Sequence, residues 1–253
     1  MATFSKVPKR TTSRCKRAEQ LALAAVASDD VNRTSVAKVL ATWSMPANIR
    51  RSNVIAKGQT YTFSDSWGLL PAFGKVVVSQ LNNKYPNMVR LFQRFVQLEA
   101  PEFAAKGHTA ITLNRGRYGQ GAATHRDKNN SATLGSFAGG QLRHYPLDDR
   151  KTDLGSLRIR GSVLLNPHRG TVIFDGRQAH QTMRYRKTAA SSKAWRCSLV
   201  YYTANNWEKA SASTQSDSRK GGVPLPCRTA AATAAATTAR LADDDVNRPG
   251  CPQ

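Results

Sequence analysis

Residues 111–127 read ITLNRGRYGQGAATHRD: a β-forming run, a glycine-interrupted turn through Gly119 and Gly121, then His125-Arg126-Asp127. Residues two apart on a strand point to the same side. A His-x-Asp on or just after a strand therefore aims an imidazole and a carboxylate at one point. A non-heme iron needs a third donor, and a second imidazole from a distant strand completes that set while leaving coordination positions open. His180 is the candidate, inside the run Phe174 to Thr182. Alone, His-x-Asp is a weak signal that chance supplies often. Its weight here comes from order: strand, glycine turn, His-x-Asp, the pair Gly139-Gly140, then Gly170 to Gly176 leading into His180.

Arg196 follows His180 by sixteen residues, in the run Arg196 to Tyr202. Its guanidinium fork suits a carboxylate bound away from water, and its neighbours are largely apolar. The alternative is a surface ion pair. Ser198 lies two residues on and faces the same way. Asn129-Asn130-Ser131 has turn composition, which makes a turn residue one reading of Asn130.

Outward from this stretch the chain changes character twice. Residues 14–42 carry helical apolar spacing, broken at Asp29 to Thr34, with Asp30 or Ser35 as a cap for the second piece. Residues 53–64 alternate weakly, as a strand would. Residues 76–98 repeat at three- and four-residue steps, with Pro86 dividing or starting a helix. Beyond Pro101 come short β-rich runs: 108–113, 122–126, 132–137, 140–145, 156–159, 161–165, 171–175, 179–184 and 195–203. Helices first and many close strands second indicate an α+β fold, the helices covering one face of an antiparallel barrel or jelly roll. The expected organisation is a disordered basic tail over 1–13, a helical support over 14–104, a β core over 105–205 and a low-complexity Ala/Thr-rich tail over 206–253.

The formal net charge is +22, from 38 Lys and Arg against 16 Asp and Glu. The excess falls on residues 1–205 and not on the nearly neutral end, so it belongs to the folded part. That favours an acidic partner, with nucleic acid the commonest. The basic run Lys6 to Arg17 reads as a nuclear address, a DNA-contacting arm, an acid-poor transit peptide or an unstructured tail. Cys15, Cys197, Cys227 and Cys251 lack the spacing of a zinc knuckle or a disulfide framework, which indicates a reducing compartment. No run is long and apolar enough to span a membrane, and no secretory signal is legible. A monomer is expected.

Taken together, these motifs resemble the Fe(II)- and 2-oxoglutarate-dependent dioxygenase superfamily, over about residues 105–205. The resemblance implies a double-stranded β-helix (jelly-roll, cupin-like) core with the N-terminal helices on one face. It also implies Fe(II), 2-oxoglutarate and O2 as metal and co-substrates, with His125, Asp127 and His180 as iron ligands and Arg196 with Ser198 holding 2-oxoglutarate. More narrowly, His125-Arg126-Asp127-Lys128-Asn129-Asn130 resembles the His-Arg-Asp-x-x-Asn segment of the TET/base-J hydroxylases. That implies oxidation of the 5-methyl group of a DNA pyrimidine, 5-methylcytosine or thymine, with Asn130 contacting a flipped base. Asn114 or Tyr118 could border the site.

Departures limit the resemblance. The Cys-rich zinc region of animal TET enzymes is absent, and position 202, where AlkB-type repair enzymes carry a second Arg, is Tyr. A prolyl-type protein hydroxylase and a non-catalytic binding barrel are the alternatives. Of the other histidines, His108 reads as structural, His168 as an exposed turn residue, and His144 as open between packing and a cofactor-facing role. Trp43, Trp67 and Trp195 read as core or lid.

Overall fold

Alternation along three neighbouring strands sets the architecture. The computed structural model of the protein describes residues 8–51, 54–55, 59–72, 74–116, 121–126, 129–136, 138–186, 195–204 and 206–227, by backbone alone over 129–136 and 138–139. In chain order the larger elements are α1 (Thr12–Ala27), α2 (Arg33–Thr42), β1 (Ala47–Asn48), β2 (Thr62–Ala72), β3 (Lys75–Val78), α3 (Gln80–Lys84), α4 (Pro86–Glu99) and α5 (Pro101–Ala105). There follow β4 (Ala110–Gly116), β5 (Asn129–Ser136), β6 (Ala138–Gly139), β7 (Leu142–His144), β8 (Val163–Leu165), β9 (His180–Thr182), β10 (Tyr185–Arg186), β11 (Trp195–Tyr202) and α6 (Ala212–Lys220).

The main sheet runs β1-β2-β4-β11-β5, with β3 also on β2, and every pairing is antiparallel. One face carries Trp67, Ile111, Leu113, Cys197, Leu199 and Tyr201, all buried in one cluster with the helices. The other face carries Ser64, Ser66, Thr112, Asn114, Arg196 and Ser198. Ser64, Asn114 and Ser198 stand in one cross-strand row. A sheet with one apolar face packed on helices and one polar face is what period-two patterning produces. The polar face looks toward two small sheets, β8-β7-β9 and β10-β6. This is a mixed α and antiparallel β fold. No helix among the described residues is long and apolar enough to cross a membrane.

The helical layer follows its sequence. In α4, Met88, Val89, Leu91, Phe92, Phe95 and Val96 are buried, each large side chain contributing about 1.5–3 kcal/mol by leaving water. Pro86 sits at its first turn, where no N–H is needed. The next two donors, Asn87 N–H and Met88 N–H, go to the carboxylate of Glu19 on α1 at 2.7 and 3.0 Å. Cys15, Ala18, Ala22 and Ala25 are the buried stripe of α1, small enough for close approach to α4. Asn32, rather than Asp30, caps α2, and Ser35 completes a capping box.

Several boundaries differ from expectation. The strand expected over 53–64 is β2, Thr62–Ala72, and Val54 lies in a tight turn. Asp65 on its core face disguises the alternation. That carboxylate is buried because Arg10 ion-pairs with it and Trp43 Nε1 donates to it at 2.8 Å. Burial raises its pKa, and the Arg10 and Trp43 hydrogen bonds oppose the shift. Arg10 also lies 5.2 Å over the Trp43 ring, so residues 8–11 are tied to the core rather than forming a free tail. Residues 76–78, read as helix, belong to β3, where Val76 and Val77 pair with Pro71 and Leu70. Of the expected strands, 156–159 links two 3-10 turns, Leu154–Ser156 and Ile159–Gly161, and 122–126 contributes one bridge at His125. At the other end, α6 and the buried Val223 pack onto the fold, and His108 N–H donates to Pro224 at 2.9 Å. Ordered structure thus continues past 205 to 227. The Ala/Thr-rich run at 229–238 lies outside the described residues.

Candidate functional site

A cavity opens between the polar face of the main sheet and the β7-β9 side, lined in part by Asn114, His125, His180, Tyr185, Arg196 and Ser198. His180 starts β9, and His125 is joined to it by an isolated antiparallel bridge. Both bridge bonds run between these two residues, at 3.0 and 2.9 Å. The paired backbones bring the two imidazoles together, with ring centroids 4.4 Å apart, and both residues are buried.

Each ring has its orientation fixed locally. His125 Nδ1 lies 2.7 Å from the Ala123 carbonyl oxygen, and His180 Nδ1 lies 2.9 Å from that of Gln178. A carbonyl only accepts, so in the neutral ring each Nδ1 carries the proton and each Nε2 carries the lone pair. This is the tautomer of a histidine that ligates a metal through Nε2. Phe174 packs edge-on against His180, with centroids 5.0 Å apart. Behind it, His144 contacts Phe174 and holds Gln178 Oε1 at 3.0 Å, which gives His144 a packing role. The remaining expected ligand, Asp127, lies outside the described residues, as does Tyr118. Among the described residues no group of three His, Cys, Asp or Glu is placed to hold a metal.

Across the cavity, Arg196 and Ser198 follow one another on the polar face of β11, and Arg196 Nη1 donates to Ser198 Oγ at 2.8 Å. Arg196 Nε donates to the carbonyl of Gly140 at 3.2 Å. Gly140 has φ of 66°, a conformation that favours glycine, and this turn presents the carbonyl. Arg196 is only 4% exposed, and burial lowers its pKa to about 10. It remains a cation at neutral pH, in surroundings where an anion is attracted far more strongly than in water.

Asn130 is placed differently. The register pairs it with Tyr201, while Arg196, Ser198 and Val200 pair with Gly135, Thr133 and Ser131. Cross-strand partners share a face, and Tyr201 belongs to the face covered by helices. The structure therefore does not bring position 130 into the row that carries Arg196 and Ser198. His108 is fully buried, shares a hydrogen bond with Gln93 at 3.0 Å and is held down to about 4 by desolvation. It is structural, and His168 is exposed in a turn.

Sequence reasoning passed over several residues of the site. Arg51 lines the cavity and donates to Asn114 Oδ1 at 2.7 Å. Tyr185 donates to the Gly116 carbonyl at 2.8 Å, and burial pushes its pKa up to about 12. Neither sits in a recognisable motif. The sequence alone places Gly121 in a turn. A Cβ there would stand 2.2 Å from the Thr182 carbonyl oxygen, the acceptor of Ala122 N–H at 3.0 Å. Gly121→Ala is expected to push residues 121–125 off β9 and to cost about 1–3 kcal/mol, as overpacking does. Urea unfolding checks this, and an unchanged midpoint contradicts it.

Asp148 is the other missed residue. Its side chain has no exposed surface. Its carboxylate accepts from Arg126 Nε at 2.7 Å, Arg126 Nη2 at 2.6 Å and Ala179 N–H at 2.7 Å. The Arg126 hydrogen bonds are the first cause of a pKa lowered to about 2. A depressed carboxylate adds stability that is present above its unfolded pKa and lost as pH falls through the folded one. The window here is about pH 4 to 2, and the contribution about 2 kcal/mol. Asp148→Asn is expected to be less stable than wild type at pH 6 and to approach it near pH 2, by equilibrium denaturation at each pH. A pH-independent difference counts against this origin.

No protein-family model and no curated protein sequence matches the chain. Solved structures give distant likenesses. A 2OG-Fe(II) oxygenase family oxidoreductase from Burkholderia pseudomallei has TM-score 0.40 and 14% identity, over 62% of this chain and 72% of that one. A Pseudomonas putida prolyl-4-hydroxylase has TM-score 0.32 and 13% identity, over 76% and 88%. The Escherichia coli ribosomal oxygenase YcfD has TM-score 0.31 and 13% identity, over 57% and 42%. Likeness of this size leaves the chemistry to be judged from the cavity.

Proposed function

We propose that this chain is an Fe(II)- and 2-oxoglutarate-dependent dioxygenase that hydroxylates a C–H bond, with residues 105–205 forming a double-stranded β-helix. One observation carries the reading: a single cavity presents two imidazoles in the ligating tautomer and a buried guanidinium with a hydroxyl beside it. In this reading His125, Asp127 and His180 hold the metal, and Arg196 with Ser198 holds the distal carboxylate of 2-oxoglutarate. Bound iron and 2-oxoglutarate supply oxidation of an inert C–H bond by O2.

The chain's own residues prepare that chemistry. The Ala123 and Gln178 carbonyls keep the Nδ1 protons in place and the imidazoles aimed. The Gly140 carbonyl and Ser198 orient the Arg196 fork so that its charge meets a carboxylate without rearrangement. Burial keeps water from competing for that charge.

The favoured substrate is a methylated pyrimidine in DNA; the register that pairs position 130 with Tyr201 leaves Asn130 out of this proposal. The support is the net charge of +22 and the His-Arg-Asp-x-x-Asn segment. A test combines the protein with Fe(II), 2-oxoglutarate and either a methylated DNA duplex or a proline-rich peptide. The expected result is succinate together with a hydroxymethyl base by mass spectrometry. Peptide hydroxylation without base oxidation overturns the substrate, and 2-oxoglutarate turnover absent with every substrate overturns the dioxygenase.

A further inference from the structure

The geometry points to Asp148 as a positioning residue that sets the distance and aim of His125 and His180 by clamping the chain next to each. This inference rests on the proposed metal site. Arg126 directly follows His125, and Ala179 directly precedes His180. Asp148 Oδ2 accepts from both, from Arg126 Nε and from Ala179 N–H, each at 2.7 Å. Its other oxygen accepts from Arg126 Nη2 at 2.6 Å and from Arg150 N–H at 3.2 Å.

A clamp matters because, among the described residues, the backbone holds 121–126 to β9 by the two bridge bonds and by Ala122 N–H on the Thr182 carbonyl, with nothing beyond His125. His125 is in no continuous ladder, and its link to β9 is the isolated bridge. Asp148 itself is well founded. Tyr145 N–H donates to the Ala179 carbonyl at 2.9 Å, which continues the β7-β9 pairing toward the Asp148 turn. Arg126 Nη2 reaches on to the Thr152 carbonyl at 2.6 Å, so the far side of the same loop is fixed too. The bidentate fork defines an angle as well as a distance. Asp148→Asn keeps one acceptor oxygen and turns an NH2 group toward the donors on the other side, so the shared, bidentate hold on Arg126 and Ala179 is lost and both histidines lose their common reference.

Outer groups that orient metal ligands typically affect metal affinity by 10- to 100-fold. Wild type, Asp148→Asn and Arg126→Gln, each as the whole 253-residue chain, are titrated with Co(II), followed by its visible absorption, with Tm recorded for each. Arg126→Gln breaks the same clamp from its more exposed side and serves where Asp148→Asn fails to fold. Val39→Ala, in the helical core and outside the lining of the cavity, supplies a protein of lowered Tm with an intact clamp. The expected result is Co(II) binding weakened roughly 10- to 100-fold in the clamp variants, with altered bands, and wild-type binding in Val39→Ala. Wild-type Co(II) affinity and spectrum in the clamp variants overturn the inference. Equal weakening in Val39→Ala also overturns it, since loss of stability then explains the effect. Wild-type Co(II) binding that is absent, or indifferent to His180→Ala, overturns the metal site itself, a distinct outcome.

Discussion

His180→Ala is expected to abolish Co(II) and Fe(II) binding and to reduce succinate formation from 2-oxoglutarate to background. His180 is one of two imidazoles whose rings lie 4.4 Å apart at the cavity wall. Its Nδ1 proton is committed to the Gln178 carbonyl, so the lone pair sits on Nε2. A three-donor site that loses one neutral nitrogen loses the convergence that selects such a metal. Its place on β9 is set by backbone hydrogen bonds, which alanine can also make, so circular dichroism is expected to be unchanged. Metal titration checks the outcome. Retention of one equivalent of Co(II) at wild-type affinity in a folded variant removes His180 from the site. Asp127→Ala extends the test to the ligand expected two residues beyond His125.

The second large effect is at Arg196. Arg196→Met is expected to weaken 2-oxoglutarate binding by about 2–5 kcal/mol, the range for loss of a desolvated charge partner, or roughly 30- to several-thousand-fold. Stability is expected to move the other way or not at all. A buried cation whose pKa is lowered to about 10 by desolvation is a cost to the folded state, and apolar replacements of similar volume are often neutral or stabilising. Arg196→Lys is expected to recover only part of the affinity, because an ammonium has no fork to share between the Gly140 carbonyl and Ser198. Calorimetric titration with 2-oxoglutarate, paired with thermal unfolding, measures both. Undiminished affinity in a folded Arg196→Met protein excludes Arg196 as the carboxylate site. A large fall in Tm shows that its role is structural.

Much of this was legible along the chain. α1, α2 and α4 declared themselves by spacing, and Pro86 marked the start of α4 because the first turn is where proline fits, whereas α6 lies in a stretch whose composition reads as a tail. His125, His180, Arg196 and Ser198 stood out by residue type and order, and all four line one cavity. β2 did not, because Asp65 occupies a core position that only Arg10 and Trp43 make tolerable. β3 was hidden in an apolar run whose three valines suit either period until β2 supplies a partner.

The sequence by itself determined which side chains can carry the chemistry: two imidazoles near glycine-rich turns, a guanidinium in an apolar run, and a strong positive charge. These are properties of residue type and short spacing. Only the tertiary structure decided which of them meet. Register placed Arg196 and Ser198 on the polar face and paired Asn130 with Tyr201 on the other, because a strand changes face at every residue and its register is fixed by distant partners. The same holds for Asp148. Nothing local distinguishes it from Asp149, yet only its carboxylate lies where the chains beside His125 and His180 converge.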